Sequence, residues 1–319
     1  MKLTTGTDLS DENLQFAAQM GVTHLKVNGG DFLDEDQRGP LQREKLLAAK
    51  KKVESYGLKI EVFLLPQPAG TQHWNIRLGR PGKEQEIEDV NRTLEMLGEE
   101  DVPVVEYVFN LSAVFGSTRG DTARGGATVR HFDYDEALKA EPVPEWKATE
   151  EEVWDRITYF IKNVVPVAES AGVRLACHPD DPPVPTLKGE TRVLGTVEGL
   201  KRLLDIVPSD SNGLNFCQGT VAEMGVDVLE TIRYFGSRDK INHVHFRNIK
   251  GAVPRFEESF IDDGDVNMLD ALRVYKEVGY TRTLIPDHWP TCVGDSREIG
   301  HAQSLGYMKG IMEALDVLG

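Results

Sequence analysis

Four stretches in the second half of this chain place reactive side chains just after short apolar runs. They are LACHPDDPPVP (175–185) with His178, GLNFCQGT (213–220) with Cys217, INHVHFRN (241–248) with His243, His245 and Arg247, and TLIPDHWP (283–290) with Asp287 and His288. Taken singly, each has a plainer reading. A histidine at a strand end usually makes a structural hydrogen bond, a cysteine fills apolar space, and an aspartate caps the next helix. Taken together, His178, Cys217, His245 and Asp287 supply two imidazoles, one thiolate and one carboxylate. That set suits a divalent transition metal such as Zn2+, Mn2+, Fe2+ or Co2+. His288 follows Asp287 directly, beside the open face of such an ion, where an imidazole is placed for general acid–base chemistry.

Residues this far apart in sequence need a scaffold that collects them, and the element pattern supplies one. Short apolar runs alternate with helical periodicity eight times. The expected strands are 2–5, 23–28, 59–65, 104–109, 173–177, 213–217, 241–246 and 283–287. Between them, Ile87, Val90, Leu94 and Leu97 mark one helix face. Leu200, Leu203, Leu204 and Val207 mark a second, and Met268, Ala271, Leu272 and Tyr275 a third. Leu305, Met308, Met312 and Leu315 mark the last. Thr149 followed by Glu152 reads as a capping box, and Gly21, Gly57, Gly172, Gly236 and Gly279 read as left-handed helix stops.

Eight such units predict one (β/α)8 TIM barrel domain over 1–319, whose strand ends converge on one rim. A doubly wound open sheet is the rival, but no GxGxxG follows the first strand. The segment 111–147, after the fourth strand, is too long for a connecting loop and is expected to be an insertion or lid over the site.

Composition narrows the partners. The net charge of −16 argues against nucleic acid and anionic membrane surfaces, which reward basic patches. The N-terminal residues lack a basic-then-apolar signal pattern, and no apolar run approaches the roughly 20 residues of a membrane span. Three cysteines without a CxxC fit free thiols in a reducing, cytoplasmic setting.

CHPDDPP, NFCQGT, HFRN and IPDH, in this order and at these intervals, resemble the mannonate dehydratase family. The resemblance covers most of residues 170–315. It extends more faintly to VFNLSAVFGSTRGDTARGGATVRHFDYDEA, which looks like the family's insertion, and to DGDVNMLDAL. It implies a xylose-isomerase-like barrel that takes a small-molecule sugar or sugar acid as its partner and removes water from a sugar acid to give a 2-keto-3-deoxy acid; a homo-oligomer is the expected assembly. It implies metal ligands at His178, Cys217, His245 and Asp287, with Mn2+ favoured and Fe2+, Co2+, Ni2+ or Zn2+ as further choices. The family's catalytic histidine falls on His288.

Two positions depart from the family pattern. An arginine suited to clamping a carboxylate is replaced by Ile285, and a tyrosine taken as an acid–base partner is replaced by His301, which can still transfer protons and is the second catalytic candidate beside His288. These departures point to an altered substrate and keep a sugar isomerase or epimerase, or another carbon–oxygen lyase, as the alternative. Arg247, Asn215, Asp180 and His73 are the candidate substrate contacts. Asn215 shares a strand face with Cys217, and His73 sits beside Trp74 in the loop after the third strand. The insertion arginines Arg119, Arg124 and Arg130 are weaker candidates. Asp180 and its neighbour Asp181 could equally orient His178.

Overall fold

The computed structural model describes residues 1–34, 39–67, 73–112, 117–294 and 297–319. In chain order the strands begin with β1 (Lys2–Gly6), β2 (His24–Asn28), β3 (Lys59–Leu64) and β4 (Val104–Tyr107). A hairpin of β5 (Ser117–Ala123) and β6 (Ala127–Asp133) follows, then β7 (Arg174–Cys177) and a ribbon of β8 (Thr186–Leu187) and β9 (Glu190–Thr191). Next come β10 (Asn212–Cys217), β11 (Ile241–His245), the hairpin β12 (Ile249–Ala252) and β13 (Arg255–Glu258), and finally β14 (Thr283–Ile285). Eight of these close a parallel barrel in the order β1-β14-β11-β10-β7-β4-β3-β2, as the alternating pattern predicts.

Most barrel strands are buried on both faces because helices cover their outer side and side-chain layers fill the inside. Every residue of β4, β10, β11 and β14 is buried. The helix Glu150–Ser170 starts at the Thr149–Glu152 capping box and lays Trp154, Ile157, Phe160, Ile161, Val164, Val165 and Ala168 against the core. Gly172 stops it in the left-handed region at φ 69°, as expected. Gly236 differs. It is the last residue of the helix Val228–Gly236, and the left-handed residue beyond it is Asp239. A Cβ at Gly236 would lie 2.5 Å from Val278 Cγ2, so the glycine there serves close packing of two helices.

The expected insertion is a β-structure. β5 and β6 pair with the β12–β13 hairpin, which follows the barrel strand β11, in a four-stranded antiparallel sheet of order β12-β13-β6-β5. Phe132 and Phe256 face each other across β6 and β13 and stack at 5.3 Å. Residues 113–116 of the insertion, and 68–72 of the loop after β3, lie outside the described residues.

Strand register sets the site. Cys217 stands opposite His245, His245 opposite Ile285, and Cys177 opposite both Tyr107 and Leu214. His178 and Asp287, one and two residues beyond their strands, therefore emerge on the same rim as Cys217 and His245. No helix among the described residues is long and apolar enough to cross a membrane.

Candidate active site

His178, Cys217, His245 and Asp287 come together at that rim. One donor atom from each lies within 4.8 Å of the others. The His178 Nδ1 proton is given to the Pro179 carbonyl at 2.7 Å, which turns the Nε2 lone pair toward the cluster. His245 presents Nδ1, 3.2 Å from Asp287 Oδ1 in a contact without hydrogen-bond geometry. Its other nitrogen, Nε2, faces the Asn215 amide at 2.9 Å, Lys26 Nζ at 3.1 Å and Glu106 Oε1 at 3.5 Å. An imidazole held from behind, with its front nitrogen aimed at a carboxylate, is how a ligand pair around one cation is arranged. The residues present fit a divalent metal.

The electrostatics agree with that fit. Burial pushes the Cys217 thiol up, but Arg247 and His178 outweigh it and hold it well below the usual thiol range. Burial also works against the Asp287 carboxylate, and His245 and His288 outweigh it, so it is held well below the ordinary carboxylate range. The same opposition raises His245, where Asp287 overcomes desolvation. Two anions facing two imidazoles in a desolvated site bind either protons or a metal ion, so metal uptake here releases protons.

Behind the cluster lies Arg247, 2 % exposed. Its guanidinium reaches Asp181 Oδ2 at 2.7 Å, Glu223 Oε1 at 2.9 Å, Glu258 Oε1 at 3.1 Å, Thr220 Oγ1 at 3.1 Å and Cys217 Sγ at 3.5 Å. Gly219 makes room for it, since a Cβ there would lie 2.3 Å from Arg247 Nε. Arg247, expected to touch substrate, is placed instead as the counter-charge to the buried acids. It does not line the cavity beside the cluster.

That cavity, of about 150 Å3, is lined by Lys26, Leu64, Gln67, Glu106, Val108, Asn110, His178, Asp181, His245, Asp287 and His288. The His288 ring is fixed by Nδ1, which lies 2.5 Å from Glu258 Oε1 and 3.1 Å from Arg247 Nη1. The ring's other nitrogen, Nε2, lies 3.7 Å from Asp287 Oδ2 at the same cavity. Glu258 ends β13, so the added sheet delivers the carboxylate that orients His288.

Three sequence candidates fall elsewhere. Asp180 turns away and accepts the Leu194 N–H at 2.7 Å, and burial pushes its carboxyl up to about 6; its neighbour Asp181 is the acid at the cavity. His73 is fully buried, 6.4 Å from the Phe160 ring, with Nε2 3.4 Å from the Val108 carbonyl. His301 stacks on Trp289 at 3.9 Å, bonds Thr5 Oγ1 at 2.7 Å and lines a separate hollow of about 250 Å3.

Arg119 lies 3.4 Å from Thr291 and Arg124 pairs with Asp262, whereas Arg130 comes within 4.0 Å of Glu258. Lys26, Glu106, Glu223 and Glu258 escaped the sequence reading. The available signal was a charge inside an apolar strand, as in HLKVN and VVEY.

Residues 138–318, more than half the chain, match the family model described as D-mannonate dehydratase. Mannonate dehydratase 2 of Halalkalibacterium halodurans is 32 % identical over 312 residues, covering 87 % of this chain and 88 % of that protein. The chain belongs to the mannonate dehydratase family. The crystal structure of mannonate dehydratase from Streptococcus suis superimposes with a TM-score of 0.86 at 28 % identity, covering 100 % of this chain and 95 % of that one. A xylose isomerase domain protein from Planctomyces limnophilus shares the fold, with a TM-score of 0.62 at 13 % identity and coverage of 98 % and 96 %.

As a mannonate dehydratase relative, the chain carries the HPDDPP and PDH segments on the rim described above. Ile285, where the resemblance puts an arginine in the family, is 4 % exposed and lies against Gly6, with Cδ1 3.5 Å from where a Cβ would stand. It offers the cavity no charge.

Proposed function

We propose that this chain eliminates water from D-mannonate or a closely related aldonate, giving a 2-keto-3-deoxy acid. The enzyme class follows from family membership: the chain is a sugar-acid dehydratase, a hydro-lyase. The observation that carries the mechanism is the four-donor cluster beside an imidazole backed by Glu258.

In this reading His178, Cys217, His245 and Asp287 hold one divalent ion. The resemblance favours Mn2+, while the thiolate also suits Fe2+, Co2+, Ni2+ and Zn2+. Such an ion, when bound, supplies Lewis-acid polarisation of substrate oxygens. The chain's own residues do the rest. His288 Nε2 exchanges the proton at the reacting carbons, with Glu258 fixing the ring through Nδ1. Arg247 keeps the Cys217 side chain a thiolate, and therefore a ligand. Loss of the C2 proton and of the C3 hydroxyl as water leaves an enol, which tautomerises to the 2-keto-3-deoxy product. His301, tied to Thr5 and Trp289, supports a role in holding Trp289 in place. A cytoplasmic setting suits the free thiols, and Ile285 favours an aldonate related to mannonate over mannonate itself.

The test is to load the purified protein with Mn2+ and incubate it with a panel of aldonates, including D-mannonate, assaying for 2-keto-3-deoxy acids. Product from at least one acid is expected. Aldose–ketose interconversion with no keto-deoxy product from any acid would overturn the reading.

A further inference from the structure

The wall of the cavity away from His288 has a polarity of its own. Lys26, on β2, places Nζ 2.6 Å from Glu106 Oε2, on β4. β4 lies four places round the barrel from β14, which precedes His288. Lys26 is the one lysine or arginine among the described lining residues, and Glu106 is 2 % exposed. Gln67 and Asn110 line the same cavity. Their backbones are fixed from behind by the buried Arg77, whose guanidinium donates to the Gln67 carbonyl at 2.8 Å and the Asn110 carbonyl at 2.6 Å. This is a built wall of one cation, one anion and two amides on rigid supports.

We propose that the Lys26–Glu106 pair, flanked by Gln67 and Asn110, is the specificity wall that reads the hydroxylated tail of the substrate. The inference rests on the aldonate reading above and extends it to the substrate's orientation. An ammonium has three donors and a carboxylate several acceptor sites, so a mutually paired Lys and Glu still offer a donor and an acceptor side by side. Hydroxyl groups need both. A substrate carboxylate does not fit here, because the buried Glu106 charge would repel it at close range. The carboxylate end therefore lies toward the metal cluster and His288, and carbons 4 to 6 lie toward β2 and β4. Ile285, uncharged on the rim, adds no competing clamp.

The experiment measures binding by calorimetry to Mn2+-loaded protein, with two probes. One is D-mannonate, or whichever aldonate of the panel is turned over fastest. The other is D-glycerate, which keeps carbons 1 to 3 and lacks the tail. Wild type, Lys26→Met and Glu106→Gln are compared, with metal content measured in each.

Losing a hydrogen bond to a charged group should weaken the long acid at least about tenfold in both variants. Glycerate should weaken less than about threefold, with binding of both probes expressed per metal-loaded protein because Lys26 and Glu106 also touch His245 Nε2. Equal weakening of both probes, or stronger weakening of glycerate, would overturn the proposal. So would a wild type that does not discriminate the two acids. A wild type that binds the long acid selectively through this wall yet forms no keto-deoxy product would instead sink the dehydration reading and leave the wall in place.

Discussion

Replacing Arg247 with methionine tests the electrostatic account at its centre. The guanidinium is the shared counter-ion of Asp181 at 2.7 Å, Glu223 at 2.9 Å and Glu258 at 3.1 Å, with Cys217 Sγ at 3.5 Å. Methionine keeps an apolar stem of similar length, so Arg247→Met removes the charge with little change in packing. At an effective dielectric of about 20, a contact near 4 Å between unit charges is worth about 4 kcal/mol. Glu223 contributes less than a full contact, because burial and the nearby Asp181 raise its carboxyl well above the usual range. Asp181 and Glu258 remain as ionised partners. Breaking a buried pair of this kind costs about 3–5 kcal/mol, and the shared cation argues for the upper part of that range.

The loss has a pH signature. In the folded chain burial pushes Asp181 up, but Arg247 and His178 outweigh it. For Glu258 burial is likewise outweighed, by His288 and then Arg247. Both folded-state values are lowered, so these groups contribute stability above their unfolded pKa, and lose it as pH falls through the folded values. Without Arg247 the balance at both carboxyls moves toward burial and their folded-state values rise, most at Asp181, where Arg247 is the largest opposing cause. The variant then carries a penalty at neutral pH that fades as its acids protonate. Urea midpoints in the presence of EDTA should therefore separate widely at pH 7.5 and converge toward pH 4.5. A separation that is absent at pH 7.5, or equal at both pH values, would refute the argument.

Other changes give narrower readouts. Cys217→Ala should strip most of the bound metal, whereas His288→Ala should keep metal and lose turnover; elemental analysis and a product assay on the same preparations separate the two roles. Gly219→Ala drives a Cβ to 2.3 Å from Arg247 Nε and should cost about 1–3 kcal/mol in stability, together with weaker metal retention. Glu258→Gln removes the charge that holds the His288 ring; kcat should fall with metal content intact, and an unchanged kcat would remove Glu258 from the proton-transfer assembly.

The barrel was legible because most of its strands are buried on both faces and its helices on one, so the two periodicities alternate. The four-donor cluster was legible for a related reason. A parallel barrel forces every strand's C-terminal end onto one rim, which turns distant sequence positions into neighbours. What the sequence hid lies off that rule. Glu258 comes from a hairpin that joins an added sheet through β6, and nothing in RFEE marks its last residue as the partner of a histidine 30 positions on. Lys26 and Glu106 were visible as charges inside apolar strands, but their pairing depends on how a closed barrel brings β2 and β4 toward each other across β3.

The Asp180–Asp181 pair shows the limit most sharply. Two identical acids side by side in HPDDPP carry the same sequence signal, and both were candidates to orient His178 or hold substrate. The chain direction after β7 decides between them, because consecutive side chains in an extended segment point to opposite sides. Asp180 falls on the side of the loop before the helix Val197–Ile206, where the Leu194 N–H takes it and desolvation pushes its carboxyl up to about 6. Asp181 falls on the side of Arg247 and Thr220, where a cation keeps it ionised at the cavity edge. A shift of one residue that put Pro182 where Asp181 stands would leave the buried Arg247 without its nearest anion. The loop after β7 is therefore held in register for electrostatic reasons. The β8–β9 ribbon supports it: Arg192, just past β9, donates to the Pro182 carbonyl at 2.8 Å and to Ser112 Oγ at 2.7 Å. The start of the insertion and the HPDDPP loop are thus tied together through one side chain.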